Sequence, residues 1–144
     1  MNIATRDFGD IEIAENEVIK FPKGLFSFED DTEFVLLSPL GENVFPMWLQ
    51  SVKNSELCLI VFDPFEFDTN YHITIEKDDL NCIDIVDNDT IDYLVIAVIP
   101  DDIKDTLINL KAPIIVNSTK NIAVQVIVAE DYPIKHPAFE KGES

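Results

Sequence analysis

Arginine is nearly absent from this chain: Arg6 is the only one, and lysine brings the basic total to 10 against 28 acidic residues. The formal net charge of −18 is spread along the chain, with fourteen acidic residues on each side of His72. Direct binding to nucleic acid or to an anionic membrane needs lysine and arginine to displace counterions, so both are disfavoured. Glycine is scarce as well, at four residues, and none forms a phosphate-binding loop or a nucleophile elbow. Two histidines and two cysteines stand at spacings that match no zinc site. Neither His72 nor His136 lies beside a serine or cysteine in a nucleophile motif. The first residues lack the basic and apolar regions of a secretory signal, and no apolar run approaches the ~20 residues of a membrane span. A cytoplasmic protein without metal or cofactor is expected, and in a reducing compartment Cys58 and Cys82 stay free thiols.

What is present is β-type sequence. Apolar, β-branched runs appear at Glu33–Leu37, Met47–Ser51, Leu57–Phe62, Tyr93–Ile99 and Ile114–Val116. Tyr71, Ile73 and Ile75 alternate with polar residues, the pattern of a half-buried strand. From Ala123 to Val128, Val124, Val126 and Val128 share one face. Ile11–Ile13 and Val18–Phe21 flank the polar Glu15-Asn16-Glu17 and read as a hairpin. Asp101–Leu110 reads as a short helix and Lys77–Cys82 as a single turn. Many short strands at close spacing predict an all-β fold, a small antiparallel β-barrel with at most short helical turns. The N-terminal hairpin and the Ile114–Val116 strand are expected in one continuous sheet, because a barrel leaves no separate lobe. Residues 1–139 are expected to form a single domain, with Glu140–Ser144 a frayed tail.

Function is narrowed by charge and aromatic placement. Asp78 to Asp105 holds nine aspartates and one lysine, and it includes Asp84, Asp87, Asp89 and Asp92. The Asp84–Asp89 run lacks the turn glycine and terminal glutamate of a calcium loop. A basic protein partner is the natural complement of such acidity; added solubility alone is the plainer reading. Ten phenylalanines are mostly core material. Phe26 and Phe28, however, cluster beside Pro22 and Gly24, and Trp48 follows Pro46. Aromatics in loops are harder to bury and are frequent anchors at protein interfaces. A carboxylate enzyme stays open, since so acidic a chain offers many pairs and singles out none.

Six short motifs recur in order: Phe21-Pro22-Lys23-Gly24 with Phe28-Glu29, Trp48-Leu49-Gln50-Ser51, Asp63-Pro64, Tyr71, Asn109–Ile114 and Gln125-Val126. Together they resemble the FliW flagellar assembly factors over roughly Ile3 to Phe139. Ser27 and Ala123 depart from the pattern, each standing where many relatives have glycine. The resemblance implies a compact β-barrel without catalytic activity. It also implies two protein partners, the translational repressor CsrA and flagellin, so that intracellular flagellin displaces the factor from CsrA and shuts down its own synthesis. The partner-binding residues expected on these grounds are Phe26, Phe28, Trp48, Gln50, Asn109 and Lys111, with Asp84, Asp87, Asp89 and Asp92 repelling RNA phosphates. An acidic binding module or nucleic-acid mimic with an unrelated basic partner is the alternative.

Overall fold

Apolar residues at alternate positions decide how the strands close on one another. The computed structural model describes residues 1–139. Its strands are β1 (Asn2–Thr5), β2 (Gly9–Glu12), β3 (Val18–Lys20), β4 (Glu33–Leu37), β5 (Met47–Ser51) and β6 (Cys58–Phe62). After helix α1 (Lys77–Cys82) come β7 (Ile91–Val98), β8 (Leu107–Ile108), β9 (Ile114–Asn117), β10 (Ile122–Gln125) and β11 (His136–Pro137). Strands β3 to β7 pair antiparallel in chain order. The long β7 also pairs with β9 through Ile91–Leu94, and β9 with β10. A parallel contact of β10 with β3, Ile122 opposite Lys20, closes a seven-stranded barrel. The expected small antiparallel barrel is therefore present, with one parallel seam.

The inward positions fill the interior. Phe34, Leu49, Val61 and Ile114 are fully buried there with Phe21, Leu25, Met47, Leu94 and Val116. A barrel this narrow is packed by its own side chains, and each such burial contributes roughly 1.5–3 kcal/mol. Outward-facing apolar residues need cover, and three separate pieces supply it. The β1–β2 hairpin lays Ile3 and Ile11 over Val35. The segment from Phe67 to Ile73 and the chain from Tyr132 to Ala138 cover Val95, Ala97 and Ile108. Helix α1, Ile73 and Ile75 cover Ile115 and Val124. Strand β9 is buried at all four residues because Ile114 and Val116 face the interior while Ile115 faces this outer layer.

Several expectations are corrected. The N-terminal hairpin is β1 with β2 and forms its own two-stranded sheet, so it is not continuous with β9. Val18–Lys20 instead joins the ring between β4 and β10. Glu15–Glu17 is a 3₁₀ turn linking the two parts. Tyr71–Ile75 alternates in burial but makes no strand. Asp101–Leu110 holds a 3₁₀ turn at Ile103–Asp105 and then β8, which pairs with β7 and β11. Lys77–Cys82 is a six-residue helix. The expected tail, 140–144, lies outside the described residues. Among those described, no helix is long and apolar enough to cross a membrane.

Candidate functional site

One end of the barrel is closed by the turn that follows β3. Gly24 has φ +66°, and its N–H donates to the Phe21 carbonyl at 2.8 Å. A Cβ on Gly24 would lie 2.5 Å from the Glu29 carbonyl oxygen, so the turn requires glycine. Leu25 then plugs the barrel at 1% exposure, and the Phe28 N–H returns to the Leu25 carbonyl. Between them, Ser27 sits at φ 71° and donates its N–H to the Glu29 carboxylate at 2.7 Å. The tight reversal buries Leu25 and leaves Phe26 and Phe28 45% and 39% exposed. Two phenylalanines held outward on a loop with a buried anchor are unlike core residues.

Gln125, at the end of β10, ties this loop to the next. Its side-chain oxygen accepts the Phe26 N–H at 3.0 Å and its amide donates to the Ala112 carbonyl at 3.2 Å. The Asn109 side chain accepts the N–H groups of Lys111 and Ala112, at 3.0 and 3.1 Å, and so folds the turn into β9. Lys111 Nζ donates to the Glu130 carbonyl at 2.7 Å. The buried Tyr71 hydroxyl donates to the Leu110 carbonyl at 2.7 Å, and burial raises its pKa. Gln125 thus links the loop of Phe26 and Phe28 to the turn that holds Asn109 and Lys111 at the closed end. The two polar side chains are committed to the protein's own backbone, which leaves the two aromatics as the free surface.

Trp48 and Gln50 stand two residues apart and differ entirely in role. Trp48 faces outward, its ring edge-to-face with Phe8 at 5.7 Å and its N–H donating to Asp7 at 3.0 Å. Asp7 also accepts from the Arg6 guanidinium at 2.8 Å, which with Trp48 holds its carboxyl below the usual range. Gln50 has no exposed surface. Its oxygen accepts the Arg6 N–H, and its amide faces the carbonyls of Ser51, Asn54, Ser55 and Leu57 at 3.0–3.4 Å. A side chain without accessible surface meets no partner, so Gln50 is a structural clamp and leaves the candidate set. Beside it the Cys58 thiol is buried, and burial pushes its pKa up to about 11.

The four aspartates are not equivalent. Asp89, whose side chain is 7% exposed, accepts from the Val86 N–H and the Asn117 amide and pairs with Lys120 at 3.3 Å. These contacts, the Val86 bond foremost, lower its pKa. Asp84 meets the same lysine at 3.4 Å. Lys120 therefore offsets much of the local charge, and Asp89 locks the loop before β7 to the fully buried Asn117. Asp87 is exposed in that loop, and Asp92 lies on β7 at the opposite end of the barrel from Phe26.

That opposite end is open. A cavity of about 490 Å³ enters there, floored by Ile19, Met47, Leu94 and Val116 and rimmed by Glu17, Asp63 and Asp92. Sequence reasoning missed it because its walls come from five strands and the turns between them. Of its parts only the Asp63-Pro64 cap left a local signal, with the Asp63 carboxylate accepting the Phe65 N–H. Sequence reasoning had also given the Arg6–Asp7 pair no role in positioning. Among the described residues, no three His, Cys, Asp or Glu side chains gather closely enough to hold a metal ion.

The architecture defines a class: a small closed β-barrel wrapped on three sides, with a plugged end that presents two aromatics and an open acidic end. The model of the FliW protein family matches residues 2–138. The flagellar assembly factor FliW of Thermoanaerobacter pseudethanolicus is 38% identical over 98% of this chain and 95% of its own length. That of Clostridium botulinum is 33% identical, covering 98% and 99%. A crystal structure of a flagellar assembly factor FliW superposes with a TM-score of 0.89 at 32% identity and 99% coverage of both chains. The chain belongs to the FliW family of flagellar assembly factors.

Proposed function

We propose that this chain is a non-enzymatic, cytoplasmic flagellar assembly factor whose residues 1–139 act as one binding unit for two proteins in turn, CsrA and flagellin. The observation that carries the reading is the outward presentation of Phe26 and Phe28 on a loop braced by Gln125 and Gly24, in a chain that belongs to this family. Rigid, exposed aromatics lose little conformational freedom on binding and are typical anchors of protein interfaces. The −18 charge supports the choice of a basic RNA-binding partner and raises the cost of bringing RNA phosphates alongside it. Because the single Lys120 offsets one of the two charges on Asp84 and Asp89, other surface carboxylates such as Asp87 carry more of that repulsion.

Titration calorimetry with purified CsrA and with flagellin tests this reading. Wild type binds both; the Phe26→Ala/Phe28→Ala variant loses at least tenfold in affinity for one of them, about 1.4 kcal/mol. Wild-type affinity for neither protein, or unchanged affinity for both in the double variant, rejects the assignment of this face.

A further inference from the structure

The open end of the barrel combines a bare strand edge with the cavity. Strand β6 pairs with β7 only at Val95–Ala97, whereas β9 pairs with β7 at Ile91–Leu94. Beyond Phe62 the chain turns away at Asp63 into the 3₁₀ turn Pro64–Glu66. Among the described residues, the first half of β7 therefore has a strand on one edge and none on the other. Four consecutive residues, Ile91 to Leu94, all line the cavity. Successive side chains of a strand point to opposite faces, so four consecutive lining residues are what a space reaching the edge of the strand would touch. Asp63 and Phe65 line it too, and the Phe65 ring meets Tyr93 edge-on at 6.1 Å, so the turn borders the cavity along this edge.

We propose that this edge and cavity form a docking site for an extended peptide segment of a protein partner, added alongside β7 with an apolar side chain in the cavity and a lysine or arginine on either side of it. Strand addition to an open sheet edge is an established mode of peptide binding, in which the backbone supplies affinity and pockets for alternate side chains supply selectivity. The floor of Met47, Leu94 and Val116 is apolar, and the volume lies in the range of binding pockets, ~300–1,000 Å³. The rim selects charge: Glu17, Asp63 and Asp92 line the cavity, and among the described residues no lysine or arginine does. Glu17 and Asp63 accept backbone N–H groups, from Ala14 and Phe65, and neither pairs with a cation among the described residues. The neighbouring Glu66 has its pKa raised, first by burial and then by the charge of Asp63, as expected where negative potential accumulates. A second copy of this chain is a poor occupant, because each copy carries −18. The inference does not depend on the partner's being CsrA or flagellin.

The test uses three blocked pentapeptides added to the full, ¹⁵N-labelled chain: Lys-Val-Phe-Val-Lys, Glu-Val-Phe-Val-Glu and Lys-Pro-Phe-Pro-Lys. The first is expected to shift the amide signals of Ile91–Leu94 and Phe65 at millimolar concentration, more weakly as salt rises. The acidic peptide, and the proline peptide, which lacks the N–H groups of its second and fourth residues and is held near polyproline II geometry, are expected to bind at least fivefold more weakly. Asp63→Asn and Asp92→Asn keep side-chain size, and the amide oxygen of Asp63→Asn still serves as the cap acceptor. Each is expected to weaken the first peptide roughly two- to fivefold. Absence of shifts at β7, equal binding of the acidic or proline peptide, or a dimer seated on this edge by sedimentation would overturn the proposal. Because the probes are synthetic, this result stands apart from that of the CsrA and flagellin titrations.

Discussion

Replacing Gln50 with glutamate tests the clamp at the β5–β6 turn, because it exchanges one amide NH₂ for oxygen at almost constant shape. The side chain is fully buried and its amide faces four backbone carbonyl oxygens at 3.0–3.4 Å. A carboxylate there would lose its donors and set a negative charge against carbonyl dipoles. The nearby Arg6 guanidinium is already committed to Asp7 and to the Cys58 carbonyl. An uncompensated buried charge costs about 3–5 kcal/mol, a large share of a total stability of about 5–15 kcal/mol. The sign with pH follows from burial. The introduced carboxyl would have a folded pKa above its unfolded value of about 4.3. Between the two values the folded state holds a proton that the unfolded state has lost, so stability falls as pH rises and returns on acidification. Urea unfolding at pH 7 and pH 5 should show the deficit of Gln50→Glu relative to wild type shrinking by up to about 2.7 kcal/mol. Gln50→Leu should cost about 2 kcal/mol at both pH values, from lost hydrogen bonds alone. A Gln50→Glu deficit below about 1 kcal/mol at pH 7, or one that does not shrink on acidification, would refute the clamp.

Asp89→Asn should lower the melting temperature, since its carboxylate holds Val86, Asn117 and Lys120, whereas exposed Asp87→Asn should leave it unchanged. The lowered pKa of Asp89 means that its contribution is present above the ordinary aspartate range and is lost as pH falls through the folded value, so the two variants should converge in acid. Gly24→Ala should destabilise by more than about 1 kcal/mol in chemical denaturation, because positive φ and a 2.5 Å approach to Glu29 act together. With iodoacetamide at pH 8, mass spectrometry should find Cys82 labelled well before Cys58, whose pKa burial raises to about 11.

Some strands with strong apolar content were legible in the sequence to within a residue, whereas Tyr93–Ile99 starts two residues inside β7 and Ala123–Val128 runs three residues past the end of β10. Glu33–Leu37 and Met47–Ser51 match at both ends, and Ile114–Val116 differs only by Asn117. The failure at Tyr71–Ile75 has a physical cause. Tyr71 is buried while His72 is exposed, so the alternation is real. The segment, however, is an extended strap across the outer face of the barrel. Side chains pin it in place of a neighbouring strand: the Tyr132 hydroxyl accepts the His72 N–H at 2.7 Å, and the Thr74 hydroxyl donates to Glu130 at 2.8 Å. Alternation reports two-sidedness, and a pairing partner is a separate requirement. The N-terminal hairpin was misplaced because its turn, Arg6–Phe8 with Gly9 at φ 66°, follows a strand with only one large apolar residue, Ile3. The exposure of Phe26 and Phe28 was legible from their place beside Pro22 and Gly24. Gln50 was not, because motif and exposure are different properties: the glutamine sits inside the Trp-Leu-Gln-Ser motif to hold backbone. The open end could not be read from any one segment, since it exists only where the strand ends converge.

The most direct test of the account is a switching experiment with labelled leader RNA bound to CsrA and followed by fluorescence anisotropy. Adding this chain should release the RNA, and adding flagellin afterwards should restore its binding. RNA that stays bound when this chain is in excess, or release that flagellin does not reverse, would contradict the account.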